Sequence, residues 1–307
     1  MSSKRTEIEV EGRHLSLSNL DKVLFPKVGF TKGALIDYYV RVAPKMLPHV
    51  FDRAVTLRRF PDGVDGQSFF EKHVPSHKPS WVHTAHVDLD PSNRSAKRAG
   101  DVEYALVCDL PTLVWAANLA TIEFHVPLWR VTPGKTAPAS TDFLVFDLDP
   151  GEGTSIVECC TVAPWIKAAL KADGLTNCHP KTSGQKGMQL YALLPKGTSW
   201  ETARDKAHDL ARAVEGDHSD LVVTNMRKDL RQGRVLIDWS QNHPAKTTVA
   251  AYSVRARDEP TVSTPVTWNE VASCARSGDP DRLRFTTSAV LERLAKRGDL
   301  FADLVVR

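Results

Sequence analysis

The sequence predicts a protein of the α/β or α+β class, and three observations carry that reading. Short apolar runs with strand character alternate with amphipathic segments of helical period, most plainly from Thr141 onward. A 42% hydrophobic and 25% charged composition over 307 residues is that of a folded chain and excludes wholesale disorder. No repeat of solenoid period and no low-complexity tract interrupts the alternation. The length suits one large domain or two modest ones.

In chain order, TEIEVEGRHLSLS alternates apolar and polar residues and reads as a hairpin turning at Glu11-Gly12. Thr31 stands where a cap is needed for the helix ALIDYYVRVAPKMLPHV. AVTLRRF reads as a strand ended by the turn Pro61-Asp62-Gly63, and Asp88 to Gly100 as an exposed loop. PTLVWAANLATIEFHVPLW holds a helix that leads into the strand IEFHVPL. FLVFDLDPG reads as a buried strand, and SIVECCTVAPWIKAALKADG as a helix ending at Gly174. HPKTSGQKGMQLYALLP reads as a turn feeding a strand, TARDKAHDLARAVEG as a second amphipathic helix and RVLIDWS as a further strand. The Pro- and Thr-rich stretch 131–141 is a candidate subdomain junction within a single domain spanning 1–307.

Composition bounds the surroundings. Five cysteines, an odd number without CxxC spacing, make neither a disulfide framework nor a zinc site and suit a reducing compartment. No segment approaches the about 18 apolar residues of a membrane span, and MSSKRTEIEVEGRHL lacks the apolar core of a signal peptide. The expectation is a cytoplasmic protein with no membrane partner. A net charge of +3 excludes an overtly basic nucleic-acid binder, yet the charge is segregated. Residues 1–60 carry 11 basic and 6 acidic side chains, residues 225–257 carry 7 and 2, and the rest therefore sums to −7. The bland total thus conceals two basic segments, a distribution that suits a polyanionic partner.

Asp147 and Asp149 end an apolar strand two residues apart, so their carboxylates share one face. Like charges that close repel unless a cation or a proton intervenes, and hard oxygen donors favour magnesium or manganese. Asp238 closes a second apolar strand, Val235-Leu236-Ile237. A lone DxD is more often a helix cap or a solvated turn; the buried-type runs before both acids favour metals here. FDLDPG also resembles the opening motif of haloacid-dehalogenase-type phosphatases, with Asp147 as nucleophile. Gly151, however, stands where that motif requires Thr or Val, and Asp147 lies in mid-chain. Thr182-Ser183-Gly184-Gln185-Lys186-Gly187 offers backbone N–H groups, a hydroxyl and a lysine to phosphate oxygens, although such a turn is by itself more often a hairpin connection. Arg231, Lys246, Arg255 and Arg257 flank Asp238 in sequence and suit a triphosphate held on metals.

FDLDPG, TSGQKGMQLY and IDWSQNHPAKTTVAAYSVRAR together closely resemble the polymerase module of bacterial ligase D, in the archaeo-eukaryotic primase superfamily. NLDKVLFPKVGFTK, RRFPDGVDGQSFFEK and IEFHVPLW resemble it in the same order, so the likeness covers roughly residues 15 to 300. The resemblance implies an α+β primase-like catalytic core, with mixed β-sheets flanked by helices. It implies that Asp147, Asp149 and Asp238 bind two divalent ions, Mn2+ or Mg2+, for attack of a primer 3′-hydroxyl on the α-phosphate of an NTP or dNTP. Ser183, Lys186 and Arg255 match triphosphate contacts, and His125 matches an active-site histidine near the nucleotide. Phe69 and Phe70 match aromatics at the nascent base pair, where a ring face tolerates every base. Neighbours on a strand point to opposite sides, so one of these two rings is expected in the core. Arg58, Arg59 and Arg231 match template-side contacts. Lys22 and Lys32 match a pocket for the 5′-phosphate of the downstream strand; without the resemblance they read as solvated lysines.

One position departs from the family pattern SGxKGxH: its last residue is Gln189, a neutral amide that cannot carry the charge of an imidazolium. The 88–100 loop is also longer than the family leads one to expect. Lys171-Ala172-Asp173-Gly174 fits the KxDG core of ATP-dependent ligases but ends a helical pattern with nothing else of that motif, a chance match. The expectation is a stand-alone, monomeric DNA repair polymerase. It would fill gaps or process broken ends in non-homologous end joining, with ribonucleotide incorporation common in its family. An ATP-dependent DNA ligase and Ku are its partners by family analogy. The alternatives are the phosphatase and a catalytically silent DNA-binding module of the same fold.

Overall fold

Turn chemistry and helix caps place the elements much as the pattern predicts. The computed structural model describes residues 5–89, 101–132 and 140–305. Most of the 88–100 loop and of the 131–141 stretch therefore lies outside the described residues. The chain divides into two compact units, one comprising Met1–Pro138, Thr247–Thr261 and Thr286–Lys296, the other Ala139–Lys246, Val262–Phe285 and Arg297–Arg307.

In the first unit β1 (Arg5–Val10) and β2 (Arg13–Ser18) form the antiparallel hairpin, with Glu11 and Gly12 both at positive φ. β3 (Val23–Phe25) and β4 (Phe30–Thr31) lead into α1 (Lys32–Val50), whose cap is Thr31: its hydroxyl accepts from the Ala34 N–H. Tyr38, Tyr39, Val42 and Met46 bury one face of α1. β5 (Ala54–Arg59) is the hub of an antiparallel sheet. It pairs from Thr56 onward with β9 (Thr121–Val126), at its start with β8 (Asp101–Leu106) and at its end with β6 (Phe69–Glu71). β7 (Thr84–Asp88) extends the sheet beyond β8, and Thr248–Val249 extends it beyond β9. α2 (Leu110–Asn118), capped by the Asp109 carboxylate, precedes β9.

The second unit is built on a mixed sheet in the order β11-β12-β10-β14-β13. β10 (Phe143–Pro150), β11 (Cys178–Thr182), β12 (Met188–Leu193) and β14 (Val235–Asp238) run antiparallel, and β13 (Val222–Val223) adds a parallel edge. Leu144, Phe146 and Leu148 point to the face covered by α3 (Ile156–Ala172) and α4 (Trp200–Asp217), where Cys159, Ile166, Ala203 and Ala207 close the core. Ser155 with Glu158 forms a capping box on α3, and Thr267 with Glu270 does the same for α5 (Trp268–Ser277). The alternate residues of β10, Asp147 and Asp149, face away from those helices. His179-Pro180-Lys181, read as part of a turn, is strand: β11 pairs residue for residue with β12, and the turn shrinks to 183–187. Pro180 and a turn-rich neighbourhood concealed a strand that pairing with β12 stabilises.

Two glycines allow close approaches that shape this unit. A Cβ on Gly151 would lie 1.8 Å from the Arg231 carbonyl oxygen, and one on Gly187 would lie 2.1 Å from that of Leu148. Glycine is thus required where the Arg231 segment and the 183–187 turn meet the end of β10.

Candidate active site

Register in the second unit assembles a polar row across four strands. Lys181 stands opposite Gln189, Gln189 opposite Asp147, and Asp147 opposite Asp238. Directly opposed residues share a face, so all four side chains stand together on the side away from α3 and α4. Asp149 follows on the same face, opposite Leu236, and is exposed. Lys181 is 1% exposed, and its ammonium donates to Gln189 Oε1 at 2.6 Å and Ser263 Oγ at 2.7 Å. The Gln189 amide in turn donates to the Asp147 carboxylate. Asp238 is held on both oxygens: Oδ1 accepts from the Ser240 N–H and hydroxyl, Oδ2 from Gln241 Nε2. Burial, then the charges of Asp149 and Asp238, push the Asp147 pKa up to about 7 against the opposing pull of Gln189 and Lys181. Across the described strands the row sets three carboxylates beside one ammonium. Among the described residues no three His, Cys, Asp or Glu side chains close around a point as a cage for an ion. The carboxylates form an open edge.

Beside them, the 183–187 turn closes on its own serine. Ser183 donates its backbone N–H to Gly187 O at 2.9 Å, and its hydroxyl accepts from the N–H groups of Gln185 and Gly187 at 3.2 Å each. Lys186 at its tip is exposed. Arg231 is half-buried, and its guanidinium donates to the Met226 carbonyl.

The first unit holds a second cross-strand row, Phe70–Arg58–Glu123, with His125 two residues past Glu123 on the same face. Glu123 was not singled out in the sequence, and it organises the group. Its fully buried carboxylate accepts from Arg58 Nη1 at 3.3 and 3.4 Å and from the Ala256 N–H at 3.0 Å. It pairs with Arg255 Nε at 3.3 Å and lies 2.8 Å from His125 Nε2. Burial would raise the Glu123 pKa, but the His125 hydrogen bond, Arg255 and the Ala256 N–H outweigh it and bring the value down to about 2. Burial lowers the His125 pKa; the Glu123 hydrogen bond and charge oppose the fall, and Arg255 and Arg58 add to it. The signal was present: Glu123 and His125 have the same i, i+2 spacing as Asp147 and Asp149, hidden inside an apolar run.

The two phenylalanines correct an expectation. Neither is core: Phe69 is 43% exposed and Phe70 55%. They do point to opposite sides of β6, but that strand is three residues long and, among the described residues, pairs with β5 alone, so both rings stay open to solvent. Each ring instead lies by the arginine opposite it, Phe69 5.2 Å from Arg59 and Phe70 5.1 Å from Arg58, and Phe70 also meets the His125 ring edge-on at 5.4 Å. Arg59 is committed to both oxygens of Glu71 and to the Leu119 carbonyl. Arg255 belongs to this unit rather than to that of Asp238, despite their nearness in sequence.

At the start of α1, Lys32 is no solvated lysine. It is 4% exposed, and its ammonium donates to the Asn118 carbonyl at 2.8 Å and the Ser18 hydroxyl at 3.3 Å. Burial, then the charge of Lys22, lower its pKa to about 8. Lys22 is partly exposed and pairs with Asp62 at 3.0 Å.

A mixed α/β chain with an open edge of strand-borne carboxylates in one unit and a cationic, aromatic wall in the other has the parts of a nucleotidyltransferase. The model of the ligase D (LigD) primase-polymerase domain matches residues 31–301, and the chain belongs to that family. The multifunctional non-homologous end joining protein LigD of Mycolicibacterium smegmatis is 41% identical over 94% of this chain and 36% of its own length. The bifunctional LigD of Bacillus subtilis is 31% identical over 94% of the chain and 44% of its own length. The chain thus spans about a third to under half of the relatives it matches. The solved structure of the polymerase domain from Mycobacterium tuberculosis ligase D in complex with DNA superposes with a TM-score of 0.85 at 40% identity, covering 95% of this chain and 98% of that one. Domains of this family are DNA-directed, metal-dependent nucleotidyltransferases, and membership sets aside the phosphatase reading of FDLDPG.

Proposed function

We propose that this chain is a DNA repair polymerase that adds NTPs or dNTPs to a primer 3′ end, at gaps with a downstream 5′-phosphate or at broken ends during non-homologous end joining. The observation that carries this reading is the register that sets Asp147 against Asp238 with Asp149 on the same face. An excess of carboxylate charge on an open edge suits Mg2+ or Mn2+, which keep places for water and substrate phosphate rather than taking an all-protein cage. Two such ions, when bound, supply activation of the primer hydroxyl and charge neutralisation at the leaving pyrophosphate. Asp147, Asp149 and Asp238 would hold them, with Asp238 kept in orientation by Ser240 and Gln241.

Ser183 and Lys186 are assigned to the triphosphate, with Arg255 and His125 braced by Glu123. Phe69 and Phe70, both exposed, are free to stack at the base pair. Arg58 and Arg231 are assigned to the template side; Arg59, tied to Glu71, serves there by carrying Phe69. Gln189 is engaged at both ends by Lys181 and Asp147 and so works as a brace rather than as a phosphate contact. Lys32 supports a 5′-phosphate site on physical grounds alone: its ammonium is buried, and its hydrogen bonds go to neutral oxygens. The two units would serve one reaction as a single catalytic domain, working as a monomer in the cytoplasm, with an ATP-dependent ligase to seal its products and Ku to hold the ends.

Extension of a primer across a 5′-phosphorylated gap, with manganese and labelled NTPs or dNTPs, tests this. Wild type should extend and Asp147→Ala should lose about a thousand-fold or more, the scale of removing a principal transition-state contact. Absence of extension by wild type, or undiminished extension by the variant, overturns the proposal, and the first result on intact protein that still binds DNA points to the silent binding module.

A further inference from the structure

The lysine pair of the first unit contains an acid that the assigned site does not use. Asp62, in the turn after β5, sets Oδ1 3.0 Å from the Lys22 ammonium. Both partners reach solvent, with side chains 38% and 77% exposed, so this ion pair is a weak one. Lys32 beside it offers a buried ammonium bonded to neutral oxygens. One cation of the pair is therefore occupied by a carboxylate, and the other, among the described residues, is hydrogen-bonded to neutral oxygens.

We propose that Asp62 is a built-in competitor for the 5′-phosphate: its carboxylate occupies Lys22 in the empty pocket and gives the ammonium up when a terminal phosphate enters against Lys32. This inference rests on Lys22 and Lys32 forming the 5′-phosphate site. A phosphate monoester carries about −1.5 to −2 charges at pH 7, against one for the carboxylate, and exchanges a weak surface ion pair for two charge-assisted contacts. Asp62 sets how much affinity the 5′-phosphate contributes. It holds the exposed lysine in place and lowers the attraction of the empty pocket for other anions.

The charge on Lys32 gives a second handle. Its neighbours are Lys22, the Ser18 hydroxyl and the Asn118 carbonyl, with Asp62 beyond Lys22. As pH rises through about 8 the ammonium loses its proton, and preference for the phosphorylated end should fall with it.

The test is binding of the full chain to gapped duplexes that differ only in a 5′-phosphate or a 5′-hydroxyl at the gap. Asp62→Asn should raise the ratio of the two affinities by about two- to five-fold, the range of an exposed ion pair, with little change for the 5′-hydroxyl gap. In a Lys22→Met background the same substitution should change nothing. An unchanged or lowered ratio overturns the proposal, and so does an equal rise in the Lys22→Met background, which would show a general field effect. Wild type with no preference for the 5′-phosphate removes the pocket itself and the proposal with it. Wild type with a clear preference that Asp62→Asn leaves unaltered removes the proposal alone.

Discussion

The two units carry cross-strand polar rows of opposite electrostatic character. In the first, one buried carboxylate, Glu123, serves two guanidiniums, an imidazole and a backbone N–H, and its pKa falls to about 2. In the second, three carboxylates stand beside a buried ammonium that reaches Asp147 through an amide, and the Asp147 pKa climbs to about 7. Geometry is similar in both: residues opposed across adjacent strands. What differs is whether the protein supplies the opposite charge. A row that is complete within the chain is a scaffold for neighbouring groups. A row left negative is a site for something cationic.

Removing a carboxylate should therefore act in opposite directions in the two rows. The largest effect is expected for Glu123→Ala, which leaves Arg58 and Arg255 without their common acid and should cost about 3–5 kcal/mol by urea unfolding. Its pH signature has a fixed sign. A carboxylate whose folded pKa is depressed contributes stability above its unfolded value of 4.5, lost as pH falls toward about 2. Glu123→Gln should remove that part of the acid transition. Next, Asp147→Asn in the presence of a chelator should stabilise the protein, by on the order of 1 kcal/mol or more at pH 8. Its folded pKa is raised, so wild type loses stability as pH climbs from about 3.8 through about 7, and the variant should not. A destabilised Asp147→Asn would show that the row is balanced after all. Gln189→Met, similar in size but unable to bridge, should cost about 1–3 kcal/mol by leaving the Lys181 ammonium short of an acceptor. If thermal unfolding shows no loss, Gln189 is not the brace between Lys181 and Asp147. The smallest change in stability belongs to Phe70→Ala, within about 0.5 kcal/mol because the ring is exposed. Nucleotide incorporation should nonetheless fall about ten-fold, as expected for loss of base stacking. Equal losses in both measurements would make Phe70 structural.

Much of this was legible in the residues. Thr31 before a helical period, Glu11-Gly12 between alternating runs and Gly174 after the SIVECC helix mark elements through local backbone chemistry, and the structure has them in place. The DxD pair was legible because i, i+2 spacing guarantees a common face, and several long blocks pointed to the family. Glu123 escaped attention because it lies inside IEFHVPLW, where an apolar run reads as core. Lys181 escaped because Pro180 and the neighbouring turn residues disguised β11.

Most local elements, the common face of Asp147 and Asp149 and the family to which the chain belongs were readable from the residues alone, since each depends on neighbours a few residues apart or on the motifs themselves; β11 was the exception. Which distant residues oppose one another came from the folded arrangement: Lys181 with Gln189, Asp147 with Asp238, Arg58 with both Glu123 and Phe70. It decided also that both phenylalanines are exposed and that Lys32 is buried. Strand register and burial are set by packing between segments far apart in the chain, and a shift of one residue would turn every one of these side chains to the other face.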